Sequence, residues 1–285
     1  MANGLLGHPK QKQDWEDVGD QYLNDLMSRC LIQMNQHYGD VFTFKMRDLI
    51  HDLSLEVSQK ECKIVDCQTK TIDENVRHLS FCDDKQINVA QVFTKLKNVS
   101  TVVVLEVSKE SKAIHESLVS LCVSNFKYIP ALFLQGSPLT ALPNSIAALK
   151  HLRELDLTNC CNIKKLPSSF YKLRRLQSLR MRGVPLMQLP VSIESLIELR
   201  YLEITIKAKK LKGSRLRSWT SLQCLVLVDC DNLECLSKEM KGLTELLHLI
   251  LHGCMELNNR YHINGRLDWQ EWLQKKRKPF DDLFK

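Results

Sequence analysis

His51 and Asp52 are the adjacent pair in this chain whose types suit acid–base or metal chemistry. Neighbours on a helix point about 100° apart, so the pair does not converge on one ligand by sequence position alone. The other histidines are dispersed, and His151, His248 and His252 fall on repeated segments where surface or packing roles are the ordinary ones. The sequence holds no G-x-S-x-G, no H-E-x-x-H and no G-x-x-x-x-G-K-[ST], and its 10 glycines are scattered. Eleven cysteines include no C-x-x-C pair and no zinc-finger spacing. The residue types therefore point away from catalysis and from a bound metal, and toward a surface that recognises another molecule.

The elements that position such a surface are legible in a repeat. The pattern L-x-x-L-x-L is filled by Ile129/Leu132/Leu134, Leu152/Leu155/Leu157, Leu176/Leu179/Met181, Leu199/Leu202/Ile204, Leu222/Leu225/Leu227 and Leu246/Leu249/Leu251. Its middle residues lie at 132, 155, 179, 202, 225 and 249, so the step is always 23 or 24. That period belongs to leucine-rich repeats, which stack into a solenoid with parallel strands on the concave face. The expected fold class is thus α/β, with the regular array over residues 126–258.

Side chains alternate across a strand, so Leu132, Leu155, Leu179, Leu202, Leu225 and Leu249 point inward. The next residues, Phe133, Asp156, Arg180, Glu203, Val226 and Ile250, form an outward column. Ala131, Glu154, Ser178, Tyr201, Cys224 and His248 run beside it. The expected protein-contact residues are Phe133, Asp156, Arg180, Tyr201, Glu203, Val226 and Ile250. The apolar end of the column either marks a contact site or is covered by the tail or a partner domain.

Leu142-Pro143, Leu166-Pro167 and Leu189-Pro190 each precede an apolar residue and then a leucine, as suits a turn to the convex side. The stretch between Leu202 and Leu225 departs most, with Lys207–Lys212 where a turn and leucine belong. Cys160, Cys230 and Cys254 each follow a repeat's last apolar position by three residues, the slot where Asn or Cys turns inward. Val76/Leu79/Phe81 and Val99/Val102/Val104 fit the pattern as two irregular opening repeats, and residues 61–125 are expected to carry them with an inserted helix near Leu118–Phe126. After Asn258 the period is lost. Residues 259–285 read as a tail in which Trp269 and Trp272 cover the last repeat.

The first sixty residues are different. Asp14 is expected to cap a helix with Trp15, Val18, Tyr22, Leu23, Leu26, Cys30 and Leu31 on one face. Gly39-Asp40 signals a turn, Val41–Met46 alternates as a strand, and Asp48 is expected to cap a second helix with Leu49, Ile50, Leu53 and Val57 as its apolar stripe. Helix, strand and helix are expected to form a small packed unit.

Two strings carry a resemblance. KMRDLIHDL at Lys45–Leu53 is similar to the M-H-D motif that ends the nucleotide-binding NB-ARC module of plant disease-resistance proteins. EDVGDQYLNDLMSRCLIQ at Glu16–Gln33 and ANGLL at Ala2–Leu6 resemble the winged-helix subdomain before it. VRHLSF at Val76–Phe81 and the stretch from Phe126 to Leu157 resemble the repeats that follow, so the likeness spans about residues 1–257. The resemblance implies a mainly helical winged-helix-like remnant over 1–60, and a C-terminal portion of a coiled-coil-class receptor without its P-loop region. In that family the motif's histidine contacts ADP. Met46 and Asp48 match the motif here and Arg47 departs from it, and no cofactor is expected on this chain alone, ADP or ATP being implied for a full-length receptor. The implied role is sensing through protein partners: a pathogen effector, a guarded host protein or an NB-ARC module.

The remaining numbers narrow the classes. A formal charge of +7 is mild, with denser stretches at Lys207–Arg217 and Lys275–Lys278 that read as solvated surface. A DNA-reading winged helix needs a basic recognition helix, but residues 14–36 hold one basic and five acidic residues, so no nucleic-acid partner is expected. A leucine-rich-repeat adaptor that selects substrates for ubiquitin transfer is the alternative class. Unpaired thiols in this number suit a reducing compartment, so a cytoplasmic location is expected. No apolar run reaches the ~18 residues of a membrane span.

Overall fold

The computed structural model describes residues 15–38, 41–81, 93, 96–104, 112–211, 216, 218–261 and 265–268. Asp14, Gly39-Asp40, Trp269 and Trp272 lie outside them, so the expected cap, turn and aromatic cover do too.

The chain opens with helix α1 (Trp15–Ser28), strands β1 (Ile32–Tyr38) and β2 (Val41–Met46), and helix α2 (Asp48–Ser58). β1 and β2 pair antiparallel, Ile32 opposite Met46 and Tyr38 opposite Val41. β1 is a correction: the apolar spacing through Leu31 suggested a longer helix, but α1 stops at Ser28 and Cys30 takes a positive φ of 58°. The β-branched and aromatic residues that follow then gain a partner in β2. The expected packed unit is also corrected. Val18 of α1 is buried, whereas Tyr22 and Leu26 are exposed and α2 buries no residue at all.

Nine parallel strands follow: β3 (Cys62–Val65), β4 (His78–Phe81), β5 (Thr101–Val104), β6 (Ala131–Phe133), β7 (Glu154–Asp156), β8 (Ser178–Leu186), β9 (Tyr201–Ile206), β10 (Cys224–Val228) and β11 (His248–His252). Their order in the sheet is their order in the chain, the mark of a solenoid in which each coil contacts its neighbours. Helix α3 (Lys112–Asn125) is inserted between β5 and β6, and α4 (Met255–Tyr261) follows β11. The last strand, β12 (Gly265–Asp268), pairs antiparallel with β11 and covers its open edge. Period reasoning missed β3 and β12. Ile64 of β3 is exposed, so that strand keeps only one buried residue, Val65.

The register is continuous. Leu79, Val102, Leu132, Leu155, Leu179, Leu202, Leu225 and Leu249 are successive partners, and each is at most 1% exposed. The proline turns become 3-10 helices at Asn144–Ala148, Ser168–Lys172 and Val191–Ser195, with Pro143, Pro167 and Pro190 at their N-caps. Lys238–Gly242 repeats the turn after Ser237 without proline. The irregular stretch after Leu202 keeps the convex spacing after all: Leu216 and Trp219 fill the two apolar slots and are fully buried. The Trp219 indole Nε1 donates to the Ile193 carbonyl at 3.0 Å, which ties that coil to the one before.

A second column is set by backbone geometry. Gly136, Asn159, Gly183, Asp229 and Gly253 all take positive φ four residues after the inward leucine of their repeat, where Gly, Asn and Asp fit with least strain. The repeat of β9 breaks it, because β8 runs on to Leu186 and pairs with Ile206 instead. The cysteine slot is inward as expected. Cys160 donates to the Leu134 carbonyl at 2.9 Å and Cys254 to the Leu227 carbonyl at 3.3 Å, and burial pushes the Cys160 thiol up to about 12. None of the ten described cysteines is in a disulfide.

Candidate protein-contact face

The strand register places Phe133, Asp156, Arg180, Glu203, Val226 and Ile250 in one row, with Ser80 and Val103 extending it at the start. The row beside it runs Ala131, Glu154, Ser178, Tyr201, Cys224 and His248. Phe133, Arg180, Tyr201, Glu203 and Ile250 are half-buried. Asp156 and Val226 depart from the expectation of an open column, at 1% and 2% exposed. Both oxygens of the covered Asp156 carboxylate are paired: Oδ2 accepts from Gln135 Nε2 at 2.7 Å and Oδ1 from the Thr158 N–H at 2.8 Å. Val226 lies between Glu203 and Ile250, both longer side chains.

Arg180 is the hub. Its Nη1 lies 3.0 Å from Glu154 Oε1 and 3.7 Å from Asp156 Oδ2, and its Nε lies 3.9 Å from Glu203 Oε2. The guanidinium also sits 5.3 Å from the centroid of the Tyr201 ring, in reach of a cation–π contact. Tyr201 donates its hydroxyl to Glu203 Oε2 at 3.2 Å. Burial works to lower the Arg180 pKa, but Glu154, Tyr201, Asp156 and Glu203 outweigh it and hold the charge on. Burial, and then the Glu203 carboxylate, pushes the Tyr201 phenol up, so it stays protonated and donating. Burial raises the Glu203 carboxyl as well, against the opposing pull of Arg180 and the Tyr201 hydrogen bond. Glu154 was named in the flanking row but not among the expected contacts. Its signal was register, since it is the neighbour of Asp156 on the same face of β7 and borders Arg180.

The cluster can orient a planar cation, a phenol ring and carboxylates toward a partner without moving them. Tyr and Arg are the residue types that dominate binding energy at protein interfaces. The arrangement offers no activated nucleophile and no proton relay. Among the described residues, no group of three or more His, Cys, Asp and Glu could hold a metal ion.

The other sequence-predicted positions lie elsewhere. Met46 ends β2, Arg47 is the N-cap of α2, and Asp48 is its first residue. The expected Asp48 cap is not made. Arg47 holds that position with no side-chain cap hydrogen bond, and its carbonyl accepts from the His51 N–H at 2.8 Å. All three motif side chains are exposed. A nucleotide needs enclosure and converging donors, so these residues do not fit one by themselves. His51 Nδ1 and Asp52 Oδ1 are 3.6 Å apart with both side chains mostly exposed, too long for a hydrogen bond.

Comparison with known proteins agrees with this anatomy. Residues 1–54 match the family described as disease resistance protein winged helix domain, and residues 75–212 and 123–263 match a leucine-rich repeat region. A disease resistance protein of Arabidopsis thaliana is 31% identical over 185 residues, covering 63% of this chain and 13% of its own. Disease resistance RPP13-like protein 4 of the same plant is 30% identical, over 57% of this chain and 19% of its own. A disease resistance protein of Solanum bulbocastanum, RGA1, is 31% identical, over 58% and 14% respectively. The chain thus spans less than a fifth of the length of these relatives. A leucine-rich-repeat protein of Leptospira interrogans shares the fold, with a TM-score of 0.53 at 20% identity over 71% of this chain and 51% of that one. Winged-helix match and repeat match agree with the fold: this chain belongs to the leucine-rich-repeat proteins, and it carries a segment of the disease resistance protein winged helix domain ahead of the repeats.

Proposed function

We propose that this chain is a non-catalytic recognition region of an intracellular plant immune receptor, and that it binds proteins through the strand face around Arg180. The observation that carries the reading is the set of half-buried, mutually fixed groups on that face, Arg180, Tyr201, Glu203 and Glu154, held on consecutive strands. Their order is set before binding, so little side-chain entropy is lost on contact. Phe133 and Ile250 flank the cluster and supply apolar area. The partner is a pathogen effector, a guarded host protein or an NB-ARC module, and contact shifts a switch by favouring one of its states. A cytoplasmic setting is supported by the free thiols, and no helix among the described residues is long and apolar enough to cross a membrane.

The test is co-immunoprecipitation of the tagged chain with receptor nucleotide-binding modules and with effectors. Tyr201→Ala, Arg180→Glu and Ile250→Glu are compared with Lys164→Glu, an exposed residue off the strands. Loss of at least about tenfold in captured partner is expected for the face variants. Interactions that survive all three unchanged sink the assignment of this face.

A further inference from the structure

The described residues hold a second candidate site near the β3 end of the sheet. The loops leading into β3, β4, β5 and β6 line a cleft of about 810 Å³ that includes Lys60, Arg77, Lys97, Asn98, Ser100 and Tyr128. Among the described residues, Glu61 is its one acidic lining residue, so three cations face one carboxylate there. Among the described residues, Lys60, Arg77 and Lys97 make no ion pair, and all three are exposed. The backbone under them is hydrogen-bonded from one coil to the next. The Glu61 carbonyl accepts from the Arg77 and His78 N–H groups at 2.8 and 2.9 Å, and the Arg77 carbonyl from Ser100 and Thr101 at 2.7 and 3.1 Å. Beside the cleft, Arg77 acts on His78 more strongly than Glu61 does. Burial first, and then Arg77, lower the His78 pKa against the opposing effect of Glu61.

From this geometry we infer that the cleft binds a small phosphate compound carrying at least two anionic groups. Neighbouring strands lie about 4.8 Å apart, so the three cation-bearing loops follow one another within about 10 Å. One ligand of that span reaches all of them. The volume suits a metabolite-sized molecule. Arg77 supplies a fork of donors for phosphate oxygens, Lys60 and Lys97 supply point charges, and the Ser100 hydroxyl and Asn98 amide add neutral donors. Like charges held together repel, and an anion relieves that repulsion. The site shares no residue with the Arg180 face, so the two readings stand or fall separately.

The experiment is calorimetric titration of the full chain with sodium tripolyphosphate at physiological salt. Citrate, an acidic peptide and duplex DNA serve as competing arms. Saturable one-to-one binding is expected. Arg77→Gln and Lys97→Gln should each weaken it by about tenfold, while the Lys164→Gln/Lys165→Gln pair, off the cleft, leaves it unchanged. Thermal melts that coincide with the parent's will show that the variants fold, since the altered side chains are exposed. Absence of saturable binding overturns the proposal, as does equal weakening by the control pair, which would mean a general charge effect. An acidic peptide or DNA that binds more tightly than tripolyphosphate would overturn the small-phosphate assignment.

Discussion

The amino-terminal unit and the repeat array use the same apolar residues and treat them in opposite ways. Leu49, Leu53 and Val57 of α2 follow helical spacing, yet they are 84%, 55% and 77% exposed. Leu179, Leu202 and Leu225 follow the 23–24 step and are 0% exposed. Periodicity states which side chains share a face. Burial requires a second surface against that face. In the array every coil supplies that surface to the next, so the pattern and the burial coincide. α2 has no such neighbour among the described residues.

Truncation breaks the comparison most sharply. Leu202→Ala should destabilise the chain by about 2–5 kcal/mol in urea unfolding, and Leu53→Ala should stay within about 0.5 kcal/mol. Comparable losses would show that α2 is covered in solution. Trp219→Phe should cost about 1–3 kcal/mol in the same assay, because the core loses the larger ring's volume and the Ile193 carbonyl keeps only the Leu196 N–H of its two donors. Gly183→Ala probes the backbone column. Its φ is +76° and a Cβ would meet Asn159 Oδ1 at 2.9 Å, so a loss of about 1–2 kcal/mol is expected from the strained conformation alone. The smallest effect concerns pH. The folded Glu203 pKa is raised, so the stability it contributes is present below the ordinary glutamate range and is lost as pH rises through the raised value. Glu203→Gln should flatten that part of the stability profile in pH-resolved melts. An unchanged slope would show that Glu203 titrates normally.

Much of the fold was legible in particular residues. The leucine step located β6 to β11, and the L-P pairs located three of the 3-10 turns, because proline excludes the strand and leucine demands the core. Less regular strands were not legible. β3 carries one buried side chain and so gives almost no period. β1 and β12 owe their pairing to partner strands, which local spacing does not reveal. Lys207–Lys212 hid the continuing convex spacing, since Leu216 and Trp219 lie beyond an irregular run of variable length. At the candidate face, alternation identified the right row, but it could not tell that Asp156 is enclosed by Gln135 and Thr158 while Arg180 remains half-open.

The order of amino acids by itself determined the stacking register and the inward rungs, because a fixed step of 23 or 24 residues returns each leucine to the same place in every coil. Only the tertiary structure decided which outward residues stay open, how three carboxylates gather about one guanidinium, and that Lys60, Arg77 and Lys97 share a cleft. Those outcomes depend on what an adjacent coil sets within a few ångströms, and that distance is fixed by packing across the sheet, not by position along the chain.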